Sequence, residues 1–387
     1  MEWKEVRLGD VCTRVCSGGT PKSTNLSYYG GEIPWLNTKE IDFNRIYSTE
    51  KTITDSGLNN SSAKWIVPNT VTVAMYGATA GKSCIVKVPM TTNQACCNLT
   101  INDEVADYEF VYYSLKNDYT TLASLANGGA QQNLNAQIIK DYVLKMPSLA
   151  DQRRIASILS SLDRKIELND KINADLEEMA QAIFKNWFVD FEPFKDGKFV
   201  DSELGMIPEG WKVGSLGDFC NVFTGKKNTN QAIEKGLYPF FSCAPEPLAS
   251  NDAIFNGKAI IIAGNGSYTG RTLFYNGGFD LYQRTYACTI REQDKENLMI
   301  FFYHMMKQFF EPTKMGGTRG SSIPYIVMGD ITQQKFPYSK DWLIRFSNIA
   351  NSMMDRKLRI DKENSRLSLL RDTLLPRLMS GELEVPE

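Results

Sequence analysis

Residues 149–187 read LADQRRIASILSSLDRKIELNDKINADLEEMAQAIFKNW and contain neither glycine nor proline. This composition favours one uninterrupted helix, and Ser148 is a suitable N-cap residue. At about 1.5 Å per residue, such a helix is ~57 Å long. A globular domain of ordinary size is only roughly 30 Å across. The helix is therefore predicted to extend beyond the domain in which it begins.

Apolar residues recur along this stretch at alternating steps of three and four. They form a heptad seam at Leu162, Ile166, Leu176, Ala180, Ile183 and Trp187, which Asn169 and Asn173 interrupt. Polar seam residues fix register and partner choice in coiled coils. A second seam follows Ile349, Met353, Arg356, Ile360, Glu363, Leu367, Leu370 and Leu374, and Pro376 interrupts it near the end. Two helices of one type predict an antiparallel coiled coil; the alternative is two surface helices, each folded onto its own domain.

The long helices close two related stretches of sequence. LGDVC at 8–12 returns as LGDFC at 216–220. The other matches, in the same order, are Gly77-x-x-x-Gly81-Lys82 with Gly266-x-x-x-Gly270-Arg271, Ala95-Cys96 with Ala287-Cys288, Asn127-Gly128-Gly129 with Met315-Gly316-Gly317, Pro147 with Pro337, and Asp163-Arg164-Lys165-Ile166 with Asp355-Arg356-Lys357-Leu358. A conserved order of this kind indicates tandem duplication. The predicted regions are a globule at 1–147, a helix at 148–190, a globule at 191–338, and a helix with a tail at 339–387.

Each globular region mixes strands and helices. Short apolar runs between turn residues predict strands at 71–77, 83–88, 258–264 and 281–290. EFVYYSLK (109–116) and ENLMIFFYHMMKQF (296–309) predict helices. The predicted fold class is α+β, with two mixed α/β globular domains joined by two long helices in an internal pseudo-two-fold repeat.

Composition limits the chemistry of the chain. No run of about 18 apolar residues predicts a membrane span, and the charged N-terminus does not resemble a secretory signal, so the cytoplasm is expected. The single histidine, His304, and the absence of any C-x-x-C pair among eight cysteines argue against a zinc site and histidine-based catalysis. The sequence also lacks a methyltransferase cofactor loop and a nuclease carboxylate cluster. We expect a non-catalytic chain without metal or cofactor.

GATAGKS at 77–83 resembles a phosphate-binding loop. It has three residues between its glycines, whereas that loop needs four. GSYTGRT at 266–272 keeps the short spacing. Two such copies favour a structural turn followed by a basic residue, and an N–H-rich turn beside a cation suits a DNA phosphate. Lys82 and Arg271 are therefore predicted to contact phosphates.

Three polar loops carry groups that suit base edges: SGGTPKSTN (17–25), NGGAQQNLN (127–135) and KMGGTRGSSIP (314–324). Glutamine and asparagine match adenine, arginine matches guanine, and serine and threonine fit either. The predicted DNA-binding residues in these loops are Gln131, Gln132 and Asn133, and then Lys314, Arg319, Ser321 and Ser322. Arg319 is the leading candidate for base reading. The alternative is that these loops are ordinary solvated loops.

Six stretches carry a family likeness: WKEVRLGDVC (3–12), SGGTPKSTNLSYYGGEIPW (17–35), KMPSLADQRRIASILSSLDRKIELND (145–170), NWFVDFEPF (186–194), LGMIPEGWK (204–212) and LLPRLMSGELEV (374–385). In these the chain resembles the specificity subunit of type I restriction–modification systems over essentially its whole length. The start of each long helix departs from the family's Pro-Pro-Leu-x-Glu-Gln. It reads MPSLADQ at 146–152 and FPYSKDWLIRF at 336–346.

The resemblance implies two target recognition domains, each reading half of a split double-stranded DNA sequence, with the long helices as a spacer. It implies a non-catalytic subunit that delivers two methyltransferase subunits and, with restriction (motor–nuclease) subunits, directs cleavage of unmethylated DNA. Phe184, Trp187, Phe188 and Phe191 form a candidate docking patch for a methyltransferase subunit; the alternative is packing against their own domain. A protein scaffold that reads no DNA is the alternative function, which the pI of 5.8 favours.

Overall fold

The computed structural model describes residues 2–125, 133–310 and 325–385. Two compact units make up the chain: the first comprises Met1–Leu168 with Glu363–Glu387, and the second comprises Asn169–Lys362. The first long helix spans Leu149–Phe188 and the second spans Lys340–Met379, so both helices pass from one unit into the other. The division into four regions drawn from the sequence stays a prediction, whereas the α+β class is confirmed.

Most strands of the first unit belong to two sheets. Their bounds are β1 (Lys4–Arg7), β2 (Cys12–Ser17), β3 (Tyr29–Leu36), β4 (Arg45–Ile46), β5 (Thr52–Ile53), β6 (Trp65–Ile66), β7 (Val71–Ala74), β8 (Ser83–Val86), β9 (Met90–Thr92), β10 (Cys96–Ile101) and β11 (Val143–Met146). A five-stranded sheet has the order β2-β10-β7-β8-β4, and a four-stranded sheet has the order β5-β3-β9-β6. β1 pairs with β11 separately, so the last strand returns the chain beside the first before the long helix begins.

Short helices cover these sheets. The α-helices of the first globule are Asp55–Asn59, Tyr108–Asn117, Tyr119–Ser124 and Ala136–Asp141, and the 3-10 helices are Leu8–Val11, Leu26–Tyr28, Thr38–Glu40 and Gly77–Thr79. The helix predicted at 109–116 is confirmed. It begins where the Asp107 side chain accepts a hydrogen bond from Phe110 N at 2.9 Å, as an N-cap does.

The second unit is built around one larger sheet. Its strands are β12 (Phe199–Ser202), β13 (Gly205–Pro208), β14 (Lys212–Ser215), β15 (Cys220–Thr224), β16 (Tyr238–Phe241), β17 (Leu248–Ser250), β18 (Phe255–Ala263), β19 (Thr272–Leu281), β20 (Thr285–Ile290) and β21 (Lys335–Tyr338). Six of them form the order β15-β20-β18-β19-β16-β17, and the pairs β12-β13 and β14-β21 lie apart. Within its described residues, the α-helices are Leu216–Phe219, Met299–Phe309 and Met328–Thr332, and the 3-10 helices are Glu192–Phe194, Thr229–Gln231 and Gln293–Leu298.

Strand registers show which parts of the sequence repeat are structurally equivalent. Lys4 pairs with Met146 in the first unit, and Lys212 pairs with Tyr338 in the second. Tyr338 therefore corresponds to Met146, and the match of Pro147 with Pro337 is wrong by two positions. The Ala-Cys match is wrong as well, because Cys96 pairs with the last residue of β7 while Cys288 pairs with Ile260 inside β18. Loop-length changes obscure such shifts in sequence.

Each unit buries part of both long helices in its core. In the first unit Ile155 and Leu159 of the first long helix and Leu375 of the second pack in one cluster with Phe110. In the second unit, the corresponding cluster contains residues of the first long helix, of the helix Met299–Phe309 and of the second long helix. Burial of each such side chain stabilises its unit by about 1.5–3 kcal/mol.

The two long helices run antiparallel within each unit. In the second unit Asn173 Nδ2, on the first helix, donates to Asp361 Oδ1, on the second, at 2.7 Å. Glu177 lies one turn after Asn173 and pairs at 3.0 Å with Lys357, which lies one turn before Asp361. The first helix therefore advances as the second goes back. Asn169 is 1% exposed and Asn173 is 7% exposed, so the predicted polar positions of the first seam are buried. These contacts confirm the predicted antiparallel coiled coil and its polar patch.

The seam predicted for the second long helix is partly wrong. Ile349 is 37% exposed and Leu370 is 46% exposed, whereas Ala350 and Met354 are buried. Near the start of this helix the buried face is displaced by one residue, because apolar residues adjoin one another there, whereas Ile360 is buried as predicted. Pro376 lies inside the helix, which continues to Met379.

Glu177 is a largely buried charge of the second unit. Its carboxylate accepts hydrogen bonds from Lys307 Nζ at 2.7 Å, Tyr303 OH at 2.7 Å and Lys357 Nζ at 3.0 Å. Burial alone would raise the pKa of this carboxyl, but the three donors outweigh burial and lower the pKa to about 2. The charged form of Glu177 therefore stabilises the folded unit.

Acid is expected to weaken the second unit through Glu177. Its pKa is lowered from 4.5 to about 2, so its contribution is complete above pH 4.5 and is lost as the pH falls toward 2. The full loss is about 3 kcal/mol. Urea unfolding between about pH 4.5 and about pH 3 should show a smaller fall in stability for Glu177→Gln than for the wild type. Equal pH profiles would contradict this assignment.

His304 adds a second acid effect to this profile, and the nearby Glu177 charge raises the pKa of His304 against the larger effect of burial. Burial lowers the pKa of His304 to about 4 from 6.5, and its Nδ1 lies 2.9 Å from Gln181 Oε1. The neutral ring is favoured in the folded unit, so stability falls as the pH drops from 6.5 to about 4. The comparison with Glu177→Gln is therefore made on the lower part of the profile.

Candidate nucleic-acid interface

A tight turn with glycine at both ends recurs in the two units. Gly77 and Gly81 bound it in the first unit and Gly266 and Gly270 in the second, all with φ between +79° and +84°. Residues that carry a side chain rarely adopt these backbone angles, so glycine is favoured at all four positions. In each turn the N–H of the second glycine donates to the last residue of the preceding strand, at 2.9 Å and 2.7 Å. The predicted structural turn is confirmed in both copies.

The polar loops predicted to read bases end against these turns. Asn133 forms an antiparallel bridge with Tyr76, and Tyr325 forms one with Asn265. The next residue of each loop donates its N–H to the residue before that bridge partner, at 2.7 Å in the first unit and 2.9 Å in the second. In the first unit, the end of the predicted loop 127–135 therefore lies beside the turn. In the second unit Tyr325, the residue that follows the predicted loop 314–324, lies beside the turn, and that loop itself is outside the described residues.

Three of the predicted DNA-binding residues lie in the described part of the chain: Lys82, Asn133 and Arg271. The others, Gln131, Gln132, Lys314, Arg319, Ser321 and Ser322, lie outside the described residues. Asn133 is exposed beside the first turn. The Lys82 side chain is 26% exposed, and its Nζ lies 2.5 Å from Asp42 Oδ1. A phosphate at this position would have to share Lys82 with that carboxylate.

Arg271 is half-buried and holds backbone in place. Its Nη1 donates to Pro245 O at 3.1 Å and its Nη2 donates to Ala244 O at 2.5 Å. Its Nε is buried and has no hydrogen-bond partner among the described residues. The guanidinium thus fixes the 244–245 segment against the turn. This geometry favours a structural role for Arg271 over the phosphate contact expected from sequence.

Arg284 is a basic residue that the sequence analysis missed. Residues 281–290 do not form one strand as predicted, because β19 ends at Leu281 and β20 begins at Thr285. Arg284 lies in the intervening turn, and its carbonyl accepts the N–H of Gly264 at 2.9 Å, next to the second glycine turn. Its side chain is exposed, and no partner for the guanidinium is found within the described ranges. The signal in sequence was the polar pair Gln-Arg inside an otherwise apolar run.

The predicted docking patch is not exposed. Phe184 is fully buried, Phe188 is 1% exposed, and the rings of Phe188 and Phe301 lie 4.9 Å apart. Trp187 and Phe191 are half-buried against the same core. All of these contacts lie within the second unit, so the alternative of packing against their own domain is correct for Phe184 and Phe188. An aromatic run in sequence does not reveal what it packs against.

Within residues 2–125, 133–310 and 325–385, no helix is both long and apolar enough to cross a membrane. The same ranges contain no group of three or more His, Cys, Asp or Glu side chains placed to hold a metal ion.

Comparison with known proteins identifies relatives over the whole chain. The chain is 29% identical, over an alignment 412 positions long, to the type I restriction enzyme MjaIX specificity subunit of Methanocaldococcus jannaschii, covering 100% of this chain and 94% of that protein. It is 33% identical over 187 residues to the type I restriction enzyme EcoDI specificity subunit of Escherichia coli, covering 46% of this chain and 40% of the relative.

A solved structure has the same fold. The crystal structure of the type I restriction–modification S subunit from M. genitalium superposes with a TM-score of 0.62 at 18% identity, covering 98% of this chain and 96% of that one. The sequence model of the family described as "Type I restriction modification DNA specificity domain" matches residues 1–178 and 208–340, most of the chain. The chain belongs to this family of type I restriction modification DNA specificity domains.

Proposed function

We propose that the chain is a sequence-specific DNA-binding subunit of a type I restriction–modification system, and that each unit reads one half of a bipartite double-stranded target. The supporting observation is that each unit has a glycine-bounded turn, which pairs with Asn133 of a polar loop in the first unit and with Tyr325, just after a polar loop, in the second. N–H groups and cations position a protein on phosphates, while amide, hydroxyl and guanidinium groups read base edges. Two diverged copies of one arrangement suit a target with two different halves.

The two loops carry different chemistry, so the half-sites are expected to differ. In the first unit Gln131, Gln132 and Asn133 offer amides that match adenine, and Lys82 serves the phosphates. In the second unit Arg319 matches guanine in a bidentate manner. Lys314, Ser321 and Ser322 are the other DNA-binding residues that we assign to this loop. Arg284 takes the phosphate contact there, and Arg271 orders the turn beside it.

The family and the net charge of the chain support the protein partners that we propose. Type I specificity subunits work with methyltransferase and restriction subunits, and we assign both as partners of this chain. Two similar units suit two methyltransferase copies. The net charge of −2 gives little overall attraction for DNA, so the positive charge must be local and the methyltransferase is expected to add affinity. We also propose that the complex acts in the cytoplasm.

Mapping methylated bases in a host that carries this chain with its methyltransferase tests the proposal. The expected result is adenine methylation at one motif with two short half-sites and a fixed spacer. The control is the same host without the chain. Methyltransferase binding without any bipartite motif would favour the alternative, a protein scaffold that reads no DNA, which the pI of 5.8 favours.

Arg319→Ala is expected to change the base preference of one half-site and leave the other unchanged. Loss of a bidentate arginine–guanine contact removes about 1–3 kcal/mol of discrimination at one position. The matched variant is Arg284→Ala, which removes a phosphate contact and should weaken binding to all sequences alike with a reduced salt slope. Gel shifts of the methyltransferase complex on duplexes altered in each half-site measure both effects.

If Arg319→Ala weakens binding equally to all duplexes, Arg319 contacts a phosphate and not a base. A change of base preference caused by Arg284→Ala would reverse the assignment of the pair.

A further inference from the structure

In the first unit, one carboxylate joins three elements. Asp163 lies on the first long helix and accepts a hydrogen bond from Tyr113 OH at 2.6 Å. It also accepts one from Arg371 Nη1, on the second long helix, at 2.8 Å. Tyr113 belongs to the helix Tyr108–Asn117 of the globular region. The globular region is thus hydrogen-bonded to one long helix through the carboxylate that also pairs with the other.

The second unit makes the same connection with different residues. Glu177 of the first long helix accepts from Tyr303 OH at 2.7 Å and from Lys357 Nζ, on the second long helix, at 3.0 Å. Tyr303 belongs to the helix Met299–Phe309. We refer to each tyrosine–carboxylate–cation set as a clamp.

The two clamps are not copies inherited from the duplication. The repeat matches Asp163 with Asp355, whereas the carboxylate of the second clamp is Glu177 on the first long helix. The same contact is therefore made by residues that are not equivalent in the repeat. Its recurrence on different residues indicates that fixing the globular helix to the helix pair is itself useful to the protein.

The clamps are shielded from water. Tyr113 is fully buried and Tyr303 is 5% exposed. The side chains of Asp163 and Glu177 are 9% and 16% exposed. Hydrogen bonds to a charged acceptor in such surroundings are strong and directional. Each clamp therefore resists sliding of the globular helix along the long helices more than apolar packing does.

We propose that Tyr113 and Tyr303 are positioning residues that set the spacer length accepted between the two half-sites. The inference rests on the proposed reading of a bipartite target. Each clamp holds a reader at one place along the helix pair, and a duplex with a longer or shorter spacer is engaged only when a reader is displaced. Neither tyrosine is assigned a contact with DNA.

Tyr113→Phe and Tyr303→Phe test this, because each removes one hydroxyl while keeping the ring and the carboxylate–cation pair. Tyr112→Phe is the matched control: Tyr112 is a buried neighbour on the same helix, and its hydroxyl makes no hydrogen bond among the described residues. Each chain is reconstituted with its methyltransferase. Methylation rates are measured on duplexes with the natural spacer and with spacers one base pair shorter and longer.

For both test variants, we expect the rate on altered spacers, relative to the natural one, to rise about tenfold, as loss of a charged hydrogen bond implies. Half-site base preferences and the rate on the natural spacer should stay near those of the wild type. Unchanged relative rates in both variants, an equal rise in Tyr112→Phe, or loss of methylation on every duplex would overturn the positioning role. A wild-type complex that does not require paired half-sites would instead refute the proposed function.

Discussion

Asp163→Ala is expected to destabilise the first unit by about 3 kcal/mol, because it breaks a buried charge network instead of removing a surface charge. Asp163 pairs with Arg371 at 2.8 Å and lies 3.8 Å from Arg45, whose side chain is only 3% exposed. Among the described residues, removing the carboxylate leaves Arg371 paired only with the exposed Asp372. The buried Tyr113 hydroxyl then keeps, within the same residues, a single 3.4 Å bond from Arg45. Such groups cost free energy when they lose their partners.

Hydrogen exchange of the amides in the helix Tyr108–Asn117 measures this loss, because those amides report opening of the first unit. The control is Glu104→Ala, which removes an exposed carboxylate of the first unit. That variant should change stability by no more than about 0.5 kcal/mol. A loss below about 1 kcal/mol for Asp163→Ala would show that Arg45, through Glu109 and Glu167, already satisfies the network.

Removing four residues from each long helix is expected to shorten the recognised spacer while leaving both half-sites unchanged. Four residues are about one helical turn and about 6 Å of length, which corresponds to roughly two base pairs at ~3.4 Å each. Deletion of 169–172 together with 362–365 leaves every residue of both globular regions in place. Mapping methylated bases in a host that carries the deleted chain gives the new motif.

The matched control replaces the same eight residues with alanine and keeps the helix lengths. This control should methylate the original motif. A deleted chain that methylates a motif with the original spacing would show that the long helices do not set the distance between the half-sites.

The sequence predicted the first long helix because its cause is local. Residues 149–187 contain no glycine or proline to break a helix, and the observed helix spans Leu149–Phe188. The glycine turns were predictable for the same reason, since a positive φ at both ends of a turn demands glycine wherever the turn lies.

The remaining differences between the sequence expectations and the structure concern contacts between distant residues. The role of Arg271 depends on the carbonyls of Ala244 and Pro245, and backbone carbonyls leave no mark in a sequence. Phe188 is buried because Trp211 and Phe301, far along the chain, pack on it with ring centroids 5.5 Å and 4.9 Å away. The seam predicted for the second long helix was partly wrong because neighbouring apolar residues gave two faces of the helix a similar pattern.

The sharing of both long helices has a consequence for the order in which the protein is completed. The second unit is one continuous segment, Asn169–Lys362, and all of it has been synthesised before the last part of the first unit exists. The first unit needs Glu363–Glu387, whose Leu375 and Leu378 enter its core. Domains usually fold in the order of their synthesis. Here the unit that leaves the ribosome first is the one that is finished last.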